Sequence, residues 1–142
     1  MARLTLPARE DVPAESQRIL KEIEGGMGRI PNLFLTYAPY PPLLRANWEK
    51  VKVALMEGEL PRRVKETIAL LVSQDNGCRY CVAAHSGALR QIGVDDDTIR
   101  TITEGRLKEA DFDARERALI ELMRAANARP HEVDENEFQA AR

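Results

Sequence analysis

Two cysteines and a histidine fall within eight consecutive residues of this chain, and these side chains are the best suited to chemistry. Cys78 and Cys81 are its only cysteines, and His85 follows four residues after the second. Cysteines at this separation can close a small disulfide ring and reopen it by thiol–disulfide exchange. On a helix, a histidine at i+4 from a cysteine shares its face and can take its proton. The spacing therefore predicts redox or nucleophilic chemistry with proton transfer at residues 78–85.

The two cysteines have different aids to reactivity. A free thiol has a pKa of about 8.5, so it needs a helix N-terminus or a nearby base to form thiolate at neutral pH. Cys78 would lie at a helix N-terminus if a helix starts there, and Cys81 has a nearby base in His85. A sulfenic acid formed on one cysteine would be trapped by the other as a disulfide.

A carboxylate is expected to support His85, because an acid oriented toward an imidazole fixes its tautomer and raises its basicity. Glu66 is charged, yet it opens the most apolar stretch of the chain. Two helices joined by a tight turn at residues 75–77 would run antiparallel and bring Glu66 level with the middle of the motif helix. We therefore predict that Glu66 lies near His85.

Length and composition are typical of a single globular domain. The 142 residues are 44% hydrophobic and 31% charged, which excludes a disordered or membrane-embedded chain. The net charge is −2 with both signs mixed, so no basic stripe predicts nucleic-acid binding. The densest basic group, Arg62, Arg63 and Lys65, is interpreted as a solvated helix start. No run approaches the roughly 20 apolar residues of a membrane helix, and the N-terminus lacks the pattern of a signal peptide. We expect a cytoplasmic protein.

Helical periodicity runs through most of the chain, with no convincing strand pattern. The first helix is predicted to open at Pro13 and to stop at Gly25-Gly26. A proline-rich arm over residues 31–42 carries one short helix, around residues 33–37. Further helices are predicted over residues 43–56, 61–76 and 78–92, from 95 to 105, and from 113 to just before 130. The sequence therefore predicts an all-α fold.

The spacing of the four candidate residues resembles the core of the alkyl hydroperoxidase D (AhpD) family, within the broader carboxymuconolactone decarboxylase-like superfamily. Cys78 follows Glu66 by twelve residues, Cys81 comes three later, and His85 four later still. The resemblance is strong over residues 60–95, softer at residues 30–34, which are similar to peroxidase-related members, and weak after about 110. It implies an AhpD-like helical bundle that assembles as a homotrimer or homohexamer.

The resemblance also implies an enzyme that reduces hydroperoxides with thiols. By position, Cys81 would be the peroxidatic cysteine, Cys78 the resolving one, His85 the base or relay, and Glu66 its carboxylate partner. Electrons would come from a thioredoxin-like protein, a lipoyl-bearing protein or a small dithiol, because no metal, flavin or nicotinamide motif is present and no cofactor is expected. One position departs from the best-known members, which carry a second histidine where this chain has Tyr80.

The chain divides into three predicted parts. Residues 1–45 form an N-terminal helix and the proline-rich arm, residues 46–130 an AhpD-like helical core with the CxxC motif, and residues 131–142 a C-terminal segment. Asp134 and Glu137 have the spacing of a capping box, but only about two helical turns follow them. This end is frayed, supported by a neighbouring subunit, or shortened relative to a longer chain, and the sequence leaves these three open.

Other interpretations stay open at this point. A zinc site built on Cys78, Cys81 and His85 would need His131 as its fourth ligand, whereas structural zinc sites usually show paired clusters, so no metal is expected. Lactone or decarboxylase chemistry, which the superfamily also hosts, would use His85 as a base without needing Cys78. A non-catalytic helical oligomer would use its cysteines to sense redox state or simply as core residues.

Overall fold

The computed structural model describes residues 4–142, and the regular structure within them is entirely helical, with no β-strand. The predicted all-α fold is therefore confirmed. The chain forms two compact units, of which the first ends at Gly58 and the second begins at Glu59.

Within residues 4–58, the first unit contains three α-helices and two shorter helical turns. They are a 3₁₀ turn over Arg9–Asp11, α1 (Ala14–Met27), α2 (Asn32–Tyr37), α3 (Pro41–Val51) and a π-helical turn over Lys52–Met56. Their apolar faces meet in a core whose largest members include Ile19, Leu20, Ile23, Phe34, Leu44 and Trp48. The rings of Phe34 and Trp48 meet edge to face, with centroids 5.8 Å apart.

The first helix does not stop at Gly25-Gly26, and that prediction was wrong. It continues to Met27 and ends at Gly28, whose φ of 69° lies in the left-handed region that glycine adopts without strain. Gly26 instead allows a close approach, since a Cβ added there would lie 3.0 Å from Cη2 of Trp48. A glycine that makes room for a ring gives the same sequence signal as a glycine that ends a helix.

The proline-rich arm is more regular than the sequence indicated. The short helix expected around residues 33–37 is present as α2. The helix expected over residues 43–56 begins earlier, at Pro41, because prolines fit a first helical turn, where their missing N–H groups have no partner to lose. It also changes to π-helical geometry after Val51.

The second unit contains five α-helices. They are α4 (Arg62–Asp75), α5 (Arg79–Gln91), α6 (Asp96–Thr103), α7 (Ala114–Ala128) and α8 (Glu135–Ala141), with a 3₁₀ turn over Leu107–Glu109. The observed bounds of α4 to α7 lie within about two residues of the predicted ones, because aspartates cap α6 and α7 where the sequence places them. The buried core of this unit includes Val64, Leu70, Leu71, Leu89, Ile102 and Ile120.

The last helix, α8, packs against α7. Asp134 and Glu137 form the predicted capping box, and Glu137 also pairs with Arg129 just beyond the end of α7. Ala141 is buried. These contacts within the chain supply the support that so short a helix requires.

Candidate active site

The turn between α4 and α5 fixes the start of the CxxC motif. Gly77 has a φ of 66°, and the N–H of Cys78 donates to the carbonyl oxygen of Ser73 at 2.9 Å. Arg124 on α7 donates twice to the carboxylate of Asp75, both times at 2.8 Å. The end of α4 is thereby tied to α7, so the residues that lead into the motif are held from two sides.

Cys78 and Cys81 are joined in a disulfide, with their Cα atoms 5.3 Å apart. Cys78 is also the N-cap residue of α5, and its Sγ accepts a hydrogen bond from the backbone N–H of Cys81 at 3.3 Å. Both cysteines are half-buried. Sulfur thus takes the place that a serine or aspartate oxygen usually has at a helix start.

His85 and Glu66 meet across the packed helices α4 and α5. Nδ1 of His85 lies 2.8 Å from Oε2 of Glu66, whose side chain is 3% exposed, while the His85 side chain is 23% exposed. A carboxylate oxygen only accepts, so Nδ1 carries the proton, and Nε2 of the neutral ring is the free acceptor. His85 stands one helical turn beyond Cys81 on the same helix. The structure therefore brings Glu66 of α4 into contact with His85 of α5, the helix that starts at the two cysteines.

Arg62 completes this group, and the sequence analysis missed it. Its Nε lies 3.5 Å from Oε1 of Glu66, and its side chain is 25% exposed. The interpretation of the basic group as a solvated helix start was therefore wrong for Arg62. It was also wrong for Arg63, which donates to the backbone of Ala110 at 2.9 Å. The i,i+4 spacing of Arg62 and Glu66 is the signal that could have found the first contact.

The remaining candidates lie apart from this group or on its surface. Tyr80, which directly precedes Cys81, is 50% exposed. His131 lies exposed in the loop before α8. Within residues 4–142, no three or more His, Cys, Asp or Glu side chains are grouped so that they could hold a metal ion. None of the helices described is long and apolar enough to span a membrane.

An open hollow of about 380 Å³ adjoins the start of α5. It is lined by Gln74, Gly77, Arg79, Val82 and Ala83. Two of these residues, Gly77 and Arg79, flank Cys78 in the sequence, so the hollow lies next to the motif.

The sequence model of the carboxymuconolactone decarboxylase family matches residues 41–125, more than half of the chain. The protein belongs to this family. The resemblance drawn from the motif is therefore confirmed. Among relatives of this family member, an alkyl hydroperoxide reductase of Mycobacterium tuberculosis is 32% identical over 87 residues, which cover 61% of this chain and 25% of that protein. The chain thus spans about a quarter of the length of this curated relative.

Solved structures share the fold of this carboxymuconolactone decarboxylase family member. One is described as an alkylhydroperoxidase AhpD core, an uncharacterized peroxidase-related protein from Ralstonia eutropha. It has a TM-score of 0.82 and 29% identity, and the match covers 98% of this chain and 73% of that one. The debrominase Bmp8 in complex with 2,3,4-tribromopyrrole has a TM-score of 0.81 and 23% identity, with 99% of this chain and 74% of that one covered. At that identity the second likeness concerns the fold alone.

Proposed function

We propose that this protein is a thiol-dependent peroxidase that reduces organic hydroperoxides through Cys78 and Cys81. The observation that carries the proposal is the contact between His85 and a buried Glu66 on the helix pair that holds a closed Cys78–Cys81 disulfide. A buried acid paired with an imidazole that stands one helical turn from a cysteine is suited to proton transfer during thiol chemistry. The similarity to proteins named alkyl hydroperoxide reductase and peroxidase-related supports the same activity.

The oxidative half of the cycle begins at Cys81. Nε2 of His85 takes the thiol proton, and the imidazolium is stabilised by the carboxylate of Glu66 through Nδ1. The thiolate attacks the peroxide, so an S–O bond forms, the O–O bond breaks, and the leaving alkoxide takes the proton from His85. The products are an alcohol and a sulfenic acid on Cys81.

The sulfur of Cys78 then attacks the sulfenic acid, which forms the disulfide and releases water. Cys78 is suited to this step because its Sγ accepts the Cys81 N–H at the start of α5, where the helix dipole favours negative charge. A dithiol donor restores both thiols by two exchange steps and leaves as a disulfide. Each cysteine thus has its own activating partner, the imidazole for Cys81 and the helix start for Cys78.

The donor and the assembly are part of the same proposal. A thioredoxin-like protein, a lipoyl-bearing protein or a small dithiol would supply the electrons. The hollow beside Cys78 offers such a donor a route of approach. We propose a homotrimer or homohexamer in the cytoplasm, where thiol donors are kept reduced.

The test is hydroperoxide consumption in the presence of excess dithiothreitol. Turnover should be lost in Cys81→Ser and retained in His131→Ala, which removes the other histidine. Without dithiol, Cys78→Ser should consume one equivalent of peroxide and hold a sulfenic acid on Cys81, which dimedone labels. Undiminished turnover in Cys81→Ser would refute the mechanism.

Lactone or decarboxylase chemistry is the second candidate, favoured by the family description and by a His85–Glu66 pair that would serve as a base without sulfur. Alkylation of both cysteines distinguishes the two, because it abolishes a peroxidase and leaves a base-catalysed reaction intact. A non-catalytic redox sensor would show one stoichiometric oxidation and no turnover with dithiol.

A further inference from the structure

The carboxylate of Glu66 is shared between two partners. Oε2 lies 2.8 Å from Nδ1 of His85, and Oε1 lies 3.5 Å from Nε of Arg62. The Glu66 side chain is almost fully buried, whereas its two partners are each about a quarter exposed. The acid therefore sits inside the protein between an imidazole and a guanidinium that both reach the surface.

Helix stability does not account for an arginine at this position. Arg62 is the first residue of α4, and the first turn of that helix contains no acidic residue. A cation at a helix N-terminus is opposed by the helix dipole. An i,i+4 ion pair is also less favourable when the cation precedes the acid, as it does here. The presence of Arg62 is thus better explained by its contact with Glu66 than by any stabilisation of α4.

A buried carboxylate needs compensation of its charge and hydrogen bonds to hold its orientation. His85 supplies one such bond through Nδ1, but its charge changes during the proposed cycle, because Nε2 takes up a proton and releases it again. Arg62 stays charged throughout, because a guanidinium does not lose its proton in proteins. It therefore supplies a positive charge next to Glu66 that does not vary through the cycle.

We propose that Arg62 is a positioning residue for the proton acceptor of Cys81. It holds the carboxylate of Glu66 so that Oε2 faces Nδ1 of His85, and this fixes the ring with Nε2 as the free acceptor. The inference rests on the proposed function, because it assigns His85 to the thiol of Cys81.

Arg63 provides a matched control on the same helical turn. Its guanidinium donates to the backbone oxygens of Ala110 and Asp111 and lies 4.2 Å from the ring centre of Phe112. Arg63 thus anchors the loop before α7. Replacing either arginine by glutamine removes one cation from the start of α4, but only one of the two changes touches the acid.

The experiment measures alkylation of Cys81 by iodoacetamide at neutral pH in reduced Cys78→Ser protein, where Cys81 is the single thiol. Arg62→Gln should slow alkylation about tenfold, a part of the 100-fold or more that a positioned base contributes. Arg62→Lys should recover most of the rate, and Arg63→Gln should leave it unchanged while lowering the unfolding midpoint. Equal alkylation rates in Arg62→Gln and Arg63→Gln would overturn the proposal.

A second measurement reports the geometry without any reaction. The proton on Nδ1 of His85 should give a downfield NMR signal, because it is bonded to a carboxylate. Arg62→Gln should broaden or remove that signal, and Arg63→Gln should not; an unchanged signal in Arg62→Gln would overturn the proposal.

The outcomes also separate this inference from the proposed function. Slow alkylation in Arg62→Gln, together with full peroxide turnover in Cys81→Ser, would uphold the role of Arg62 and refute the peroxidase. Equal alkylation in both arginine variants, together with Cys81-dependent turnover, would refute the role of Arg62 and uphold the peroxidase.

Discussion

Adding one methyl group at Gly26 tests how firmly the Trp48 ring is held in the first unit. Inside a helix, alanine is favoured over glycine by about 0.5–1 kcal/mol, because glycine loses more conformational entropy on folding. At Gly25 an added Cβ meets nothing within 4 Å, so Gly25→Ala should gain this amount. At Gly26 the Cβ would lie 3.0 Å from Cη2 and 3.2 Å from Cζ2 of Trp48.

The ring has little freedom to withdraw. Trp48 is 3% exposed and packs edge to face against Phe34. Overpacking of this kind costs about 1–3 kcal/mol. Subtracting the helix gain leaves Gly26→Ala less stable than the parent by about 1 kcal/mol, and less stable than Gly25→Ala by about 2 kcal/mol.

Urea unfolding followed by tryptophan fluorescence measures both variants, and Trp48 is the only tryptophan in the chain. The unfolding midpoint should rise for Gly25→Ala and fall for Gly26→Ala. Equal stabilisation of the two variants would refute the reasoning, because it would mean that the ring moves away without cost.

Three further predictions concern the second unit. Glu66→Gln should lower dithiol-dependent peroxide turnover about 100-fold, because the amide keeps the shape but loses the charge that stabilises the imidazolium of His85; turnover equal to the parent's would contradict this. Thr67→Val should raise the free energy of unfolding by about 1 kcal/mol in urea titration, because the buried Oγ1 of Thr67 has no hydrogen-bond partner within residues 4–142. A loss of stability would contradict it. Hydrogen bonds from Arg124 hold the pKa of Asp75 below its usual range, so this pair stabilises the fold above pH ~4 and ceases to do so as the pH falls through the folded-state pKa. Arg124→Gln should therefore cost about 0.5 kcal/mol at neutral pH and progressively less in acid, and a cost independent of pH would refute the assignment.

Two of these variants have matched controls in the chain. Ser16 is fully buried like Thr67, but its Oγ donates to the carbonyl oxygen of Ala38 at 2.6 Å. Ser16→Ala should therefore destabilise the protein, opposite in sign to Thr67→Val. His131→Ala removes an exposed imidazole and should leave turnover unchanged, in contrast to Glu66→Gln.

The contact between Glu66 and His85 could be predicted because it depends on short-range geometry. The turn between α4 and α5 is brief, so the two helices pack with their neighbouring ends at the same level, and the register follows from counting residues on each side. The start of α5 directly after Cys78 could be predicted to within one residue for the same reason, because Gly77 marks the turn. Both predictions therefore follow from the spacing of nearby residues and from the glycine at the turn.

Contacts that depend on packing between distant segments could not be predicted. The i,i+4 spacing to Glu66 marks Arg62, but nothing in the local sequence connects Arg63 with the loop at Ala110, 47 residues away, that it contacts. Gly26 was misread because the ring that requires it lies 22 residues away at position 48. Contacts of this kind depend on how distant helices and loops pack, which the local sequence does not determine.

The hydrogen bond to Sγ of Cys78 links the oxidation state of the cysteine pair to the backbone at the start of α5. In the closed ring, Sγ of Cys78 is uncharged and holds the Cys81 amide at 3.3 Å. Once the ring opens and Cys78 carries charge, the same amide would have a stronger acceptor, and the first turn of the helix would tighten. In the proposed cycle, reduction of the disulfide would therefore change the geometry of the first turn of α5.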